Sequence, residues 1–528
     1  MMSFLRSLLL LLVFGACTAP DACAHIGSPN LFYEGTAAGV PMRVIIKPPG
    51  VIPGLAEITV RTEGPGAQKL SVLPVFWETG KKGSPTPDAL TPVRGETNLY
   101  SGTMWFMKRG AYSVHVGVET ANGQGEIVVP VNSLATVRNP MPPGLGIILA
   151  FLGIFLFISF TAIIGAAAAE STHPPGEAFT QALKRKRSAW MVGAAVFMIA
   201  AVAGGKSWWA AEDRDYRERR ISRMWPATAE VKLDDDRPVL NFSFEIPDGQ
   251  KREWSPLILD HGKWSHWFLV REPKQDVLVH LHPYKQGDRK FAAVLPPLPE
   301  GNYHLYADLS HENGLYRTLH TEVKIPAAPE AWSQRWTRTR GNPNDPFCST
   351  IRPTNTTDVV RRDLDMDDAW HIEAMAPSTA SSEAALMNGL KLKWERPAKL
   401  AANQDVSLRF QLYDEQGQPA ALEPYLGMNG HLVVRRTDGS VFVHVHPVGN
   451  ISMASQSILT ARSENPKAEL ETLIAATTNY THKVSTELGN EVSFPYAFPQ
   501  PGTYRLWVQF KHKGQILTGS YLAEVSEK

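Results

Sequence analysis

Between Gly144 and Ala169 the chain runs 26 residues without a charge. About 20 apolar residues suffice for a helix to cross a bilayer, so this stretch reads as a transmembrane helix. Ser188 to Gly205 is a second apolar run, followed by Lys206, Trp208 and Trp209, residue types suited to a membrane interface. Between the runs, Lys184, Arg185, Lys186 and Arg187 form a basic cluster. The positive-inside rule puts that short loop (170–187) in the cytoplasm and makes 144–169 and 188–209 a hairpin. Whatever else folds must then be built from the two flanks, both outside. Five arginines after the second run (Arg214, Arg217, Arg219, Arg220, Arg223) weigh the other way. The alternative is a second run too short to span, which would leave the C-terminal half in the cytoplasm.

Residues 1–24 read as a secretory signal, with Arg6 as its charge, Leu8 to Phe14 as its apolar core and Ala22-Cys23-Ala24 as the small-residue cleavage site. Cleavage there would leave His25 first and Cys348 as a lone thiol. A rival reading takes Gly15-Ala16-Cys17 as a lipoprotein cysteine. With either start, the expected address is the bacterial inner membrane with the large flanks in the periplasm.

Lys and Arg number 53 against 52 Asp and Glu, a balance that excludes a nucleic-acid partner of the usual basic kind. Three cysteines exclude a disulfide framework and a cysteine-based zinc site. Forty Gly and forty Pro between Val- and aromatic-rich runs predict a mainly β protein. We expect three extracytoplasmic β-sandwich domains, immunoglobulin-like or cupredoxin-like, at 25–135, 228–326 and 389–526. Residues 327–388, rich in Pro, Asn, Thr and Ser, read as linker, and Glu464 to Ala476 as a short helix inserted in the last domain.

The two later domains carry an internal repeat. The first copy reads HWFLVREPKQDVLVHLHP from His266 to Pro283, and the second HLVVRRTDGSVFVHVHP from His431 to Pro447. Further on, GNYHLYADLSH (Gly301 to His311) matches GTYRLWVQFKH (Gly502 to His512), each Tyr preceding a His by eight residues. An anonymous sandwich would not need the same four histidines twice. In a strand, residues two apart share a face, so His280 projects with His282 and His444 with His446. With His266 and His311, or His431 and His512, each copy predicts one metal site. Neutral imidazole suits copper, zinc, nickel and iron. His261 adds to the first copy, and Met428 and Met453 to the second. Thioether ligands favour Cu(I), so copper is the expected cofactor and zinc the second choice.

A mature His25 could chelate one copper through its α-amine and imidazole together, or be an ordinary exposed terminus. Histidines in a sandwich can also serve as core hydrogen-bonders, in which case the domains would bind a protein partner or an envelope polymer. The acidic runs Asp234–Asp236 and Asp363–Asp368 lack calcium-loop spacing and read as solvated charge. No phosphate loop, GxSxG or HExxH occurs, so no enzyme is expected.

At its HxHP segments the chain resembles bacterial exported β-domains of the YtkA-like and FixH-like kind, which are similar to copper carriers of the CopC type. Its whole layout is similar to bacterial two-helix membrane proteins with such domains. The resemblance implies small sandwiches linked with copper, and a role for His25 like that of the N-terminal histidine of CopC-type carriers. The leading expectation is a membrane-anchored periplasmic protein for copper binding, delivery or resistance. The others are an envelope interaction protein and an accessory subunit of an oxidase-assembly or transport complex with a periplasmic protein partner.

Overall fold

The computed structural model describes residues 30–333, 365–473 and 488–527, apart from 65, 172, 175, 235–236, 374–376 and 387–388. The expected signal, Cys17, His25, Cys348 and much of the expected linker lie outside the described residues. Among the described residues the fold is mainly β, with six antiparallel sheets and two long apolar helices.

The helices span Pro143–Glu170 and Gln181–Asp215. Both are long and apolar enough to cross a membrane, and their side chains are almost wholly exposed. Pro143 starts the first, where its missing N–H costs nothing. Thr180 caps the second, its hydroxyl accepting from Leu183 N at 3.3 Å. The 18-residue apolar run of Ser188 to Gly205 thus sits inside a helix of 35 residues, roughly 50 Å long.

The sheets form pairs that share apolar cores. Alternation builds the first pair. Val40–Lys47 buries Val40, Met42, Val44 and Ile46 and turns the intervening residues outward. These side chains meet Val72, Val114, Val116 and Val129 of the facing sheet. The second pair covers Ala227–Ile325, with Ala369–Ile372 added as an edge strand. The third runs from Glu383 to Val525. Part of the expected linker therefore enters a sheet: Ala369–Ile372 pairs with Val277–Leu281 in register Val277↔Ile372 to His280↔Ala369.

The strands of the repeat depart from one-face burial. His266–Glu272 and Val277–Leu281 are buried on both sides, as are His431–Arg436 and Gly502–His512 through most of their length. Trp267 and Leu269 face the core of the second pair. Phe268, Val270, Leu278 and Tyr306 face the opposite way, against Val433, Phe442 and Trp507 of the other copy. Tyr306 stacks on Phe442 with ring centres 3.7 Å apart and planes within 3°. The two copies thus bury their repeat strands against each other.

The segment between His446 and the third sheet pair's last strands packs against the first pair. Phe32 N donates to Asn450 Oδ1 at 2.7 Å, and Glu34 N to Val448 O at 2.7 Å. A helix not expected from the sequence lies at Met453–Glu464, before Asn465-Pro466. Ser452 caps it, and its residue Gln456 donates to Val128 O at 2.6 Å. Helix is also present at 470–473, inside the expected Glu464 to Ala476, and residues 474–476 lie outside the described residues.

Candidate metal centre

Strand parity brings six histidines to the face between the copies. His266 shares its face with Phe268, His280 and His282 theirs with Leu278, His431 its face with Val433, and His444 and His446 theirs with Phe442. The ladders align them laterally. Phe268 pairs with His280 across one ladder and Val433 with His444 across the other. Two triads result, His266–His280–His282 and His431–His444–His446, and in each the ligand-type nitrogens lie within 4.8 Å of one another. Nitrogens about 2.0–2.1 Å from one ion lie at most ~4.2 Å apart, so a few tenths of an ångström of ring rotation closes either triad on a metal.

Every ring has its outer nitrogen held by another segment. His266 Nε2 and His431 Nε2 meet the peptide oxygens of Asp260 and Tyr425, each at 3.2 Å. His446 Nδ1 meets Ile451 O at 3.1 Å. A carbonyl only accepts, so these three rings carry their proton on the outer nitrogen and turn a lone pair inward. His280 Nδ1 lies 2.9 Å from Gln509 Oε1 and 3.2 Å from the Tyr425 hydroxyl. His282 Nδ1 lies 2.9 Å from Asp368 Oδ1, and His444 Nδ1 3.2 Å from Asp308 Oδ2. Such outer partners fix ring orientation at metal sites.

The inner nitrogens converge. His266 Nδ1 is 3.1 Å from His280 Nε2, and His431 Nδ1 is 3.0 Å from His444 Nε2. The third nitrogens, His282 Nε2 and His446 Nε2, are buried and have no hydrogen-bond partner. An orphaned buried acceptor costs about 1–3 kcal/mol, and a metal ion is one way to satisfy it.

Burial drives all six imidazoles toward the neutral form that metals bind. It lowers His266 and His446 to about 4, and the other four well below 6.5, with the neighbouring imidazoles adding to the effect. Around them lie three carboxyl groups. Asp260 is held low although burial opposes it, because His261, His266, His446 and the Ser452 hydroxyl favour its anion. Its Oδ1 also accepts from Ala454 N at 3.1 Å, at the start of the Met453–Glu464 helix. Burial raises Asp308 to about 7 and Asp368 well above the usual range.

Two expected ligands in the strands lie elsewhere, and parity gives the reason. His311 is eight residues past Tyr303, an even offset, so it shares the face of Tyr303, which points into the second pair's own core. There His311 Nδ1 donates to Ser255 O at 2.9 Å, and the ring meets Trp225 and Trp254 edge-on. His512 stands in the same relation to Tyr504, and its Nδ1 meets Ala421 O at 2.7 Å on the surface. Met428 packs with Met453 and Ile451 into the core of the first sheet pair. His261, held at a positive φ of 51°, does join the cluster, with ring centres 6.0, 5.8 and 5.2 Å from His266, His431 and His446.

Sequence reasoning missed the outer partners. Asp368 falls in the acidic run read as solvated, yet its carboxyl is buried against His282. Asp308 and Gln509 pair across the ladders with His266 and His431, so the ladder register would have pointed to both.

Residues 384–527 match the model of a domain of unknown function, DUF8832. No curated protein matches the chain. Solved structures similar to it include a Salmonella α-2-macroglobulin variant, 9% identical with a TM-score of 0.17, covering 96% of this chain and 24% of that one. A structure from a 1.5-MDa bacterial ice-binding adhesin is 6% identical with a TM-score of 0.13, covering 95% and 100%. The BSP domain of a biofilm-associated protein is 8% identical with a TM-score of 0.13, covering 98% and 70%. This chain spans about a quarter of the length of the α-2-macroglobulin, and likenesses at these scores carry no argument about function.

Proposed function

We propose that the chain is a metal-binding protein anchored in a bacterial inner membrane, with its β-sandwich domains in the periplasm and copper as its metal. One observation carries this reading. In each triad a buried, unpartnered Nε2 (His282, His446) converges with two other imidazoles whose outer nitrogens are already engaged. Scattered core histidines, each satisfied by its own backbone partner, would not converge in this way. Met428 and Met453 pack into another core, so thioether ligation no longer supports copper. The choice rests instead on all-imidazole donors, for which Cu(II) outranks zinc in the divalent series. The basic cluster at Lys184 to Arg187 supports the periplasmic orientation.

Elemental analysis of the full chain, purified in detergent and loaded with copper, tests the reading. Bound copper should fall by about one equivalent in a His280→Gln/His282→Gln double variant of unchanged circular dichroism. Unchanged stoichiometry with a collapsed melting temperature would assign the histidines to core hydrogen bonding. Reporter fusions after Lys528 test the topology, and an active cytoplasmic reporter would refute it.

A further inference from the structure

The two triads lie side by side. His266 and His444 have ring centres 5.8 Å apart, His280 and His444 5.9 Å, and His280 and His431 6.1 Å. Within a triad the corresponding separations run from 4.5 to 5.4 Å. Imidazoles of different copies therefore approach almost as closely as imidazoles of the same copy. His261 lies within 6.0 Å of rings from both.

One side of this cluster is open. A cavity of about 360 Å³ is walled at one end by His261, His266, His444 and His446, with Asp260 and Asp308 beside them. Its other walls come from the first sheet pair and the segment that follows its last strand, including Thr136, and from the segment just after the second long helix, including Arg223. Arg317 lines it as well. The volume falls in the range of small-molecule sites. The cavity touches histidines of both triads, while His280, His282 and His431 do not line it.

We infer that the two triads form a single two-metal centre whose open coordination side is this cavity, and that the cavity admits a small anion able to bridge the two ions. The inference rests on the metal-binding reading. Two ions held a few ångströms apart are a recurring arrangement for polarising one shared ligand. Three protein nitrogens per ion leave a coordination position on each for it. Two bound cations facing the cavity would themselves draw a small anion into it, against the opposing charge of Asp260.

The test uses the full chain in detergent, loaded with Cu(II), with azide as the probe. Two coppers per chain should show a magnetically coupled electron paramagnetic resonance spectrum, with a half-field transition and less intensity than two isolated ions. Azide should change that spectrum and add a charge-transfer band. Removing the second triad (His444→Gln/His446→Gln) should leave one copper with a full-intensity isolated spectrum. Thr136→Trp, which narrows the cavity away from the histidines, should weaken azide at least tenfold with copper content unchanged. Two coppers giving simply additive isolated spectra would overturn the two-metal centre. A coupled pair whose azide affinity ignores Thr136→Trp would overturn the role of the cavity. Failure to bind copper at all would remove the metal-binding reading itself.

Discussion

His311 carries a titration that can be read apart from both triads. Its ring is fully buried, its Nδ1 donates to Ser255 O, and its edges meet Trp225 and Trp254. The Arg317 guanidinium carbon stands 3.5 Å from the centre of the Trp225 ring. Burial first, and then the Arg317 charge, push the His311 pKa from 6.5 down to about 3. The unfolded chain takes up this proton near pH 6.5, and the folded chain only near 3. Between those values the unfolded state binds more protons, so stability falls as pH falls through that window. From pH 7 to pH 4.5 the loss at this residue is about 2–3 kcal/mol, at ~1.4 kcal/mol per pH unit through most of the interval. His311→Gln keeps a donor for Ser255 and cannot titrate. At pH 7 it should cost about 1–3 kcal/mol for the lost aromatic packing. At pH 4.5 its deficit should shrink by about 2–3 kcal/mol, bringing the variant level with the parent or ahead of it. Urea unfolding of the metal-free chain in detergent, followed by tryptophan fluorescence at both pH values, measures the gap. An equal gap at pH 7 and pH 4.5 would falsify the linkage and mean that His311 titrates normally in the folded chain.

Three further outcomes follow from the same structure. Asp368→Asn should weaken metal at the first triad about tenfold by chelator competition while leaving the second unaffected, because it alters the partner that orients His282. Trp507→Ala, in the layer between the copies, should cost about 3–5 kcal/mol in chemical denaturation and release metal from both triads together. Glu126, held down to about 2 chiefly by His115 with help from Lys81, lends stability above its ordinary carboxyl range that is lost as pH falls toward 2. Being half exposed, it should contribute under ~1 kcal/mol, so Glu126→Gln should lower thermal stability slightly at pH 7 and not at pH 2.

The β-class, the two long helices and the HxHP histidines were legible because each rests on local pattern. Val40–Lys47 alternates, Gly144 to Ala169 lacks charge, and His280 and His282 are two apart on a strand. Spacing alone misassigned His311 and His512. Their constant offset from a Tyr is real, but an even offset places them on the Tyr face, and that face belongs to each pair's own core. The missing information was which face the second copy covers. A trace of it was present: HWFLV and VLVHL are near-continuous apolar runs, the mark of a strand buried on both sides. The partners Asp308 and Asp368 were beyond local reading. Asp368 and Asp308 reach the histidines through long-range contacts, 86 residues from His282 and 136 residues from His444.

Duplication also explains why the centre lies between the copies. Each copy presents a face that is aromatic at one end and imidazole at the other: Phe268 and Tyr306 with His266, His280 and His282, against Phe442 and Trp507 with His431, His444 and His446. Burying the aromatic ends drives the faces together at about 25 cal/mol per Å² of apolar surface. The same movement strips water from six imidazoles, a cost that grows with every nitrogen left unpaired. Each copy meets part of that cost for the other. Gln509 of the second copy holds His280 of the first, Asp308 of the first holds His444 of the second, and Tyr425 serves both His280 and His431. Gln509 and Asp308 occupy equivalent ladder positions, opposite His431 and His266, so this exchange is built into the repeat. The equivalence is imperfect, because one position is an amide and the other a carboxyl. In the first triad the carboxyl partner, Asp368, holds the second histidine of the HxH; in the second triad Asp308 holds the first. A carboxyl group, when a bound cation draws off its proton, makes its imidazole a stronger donor than a carbonyl does. Two metal ions in this centre would therefore meet corresponding imidazoles of different donor strengths and take up different affinities.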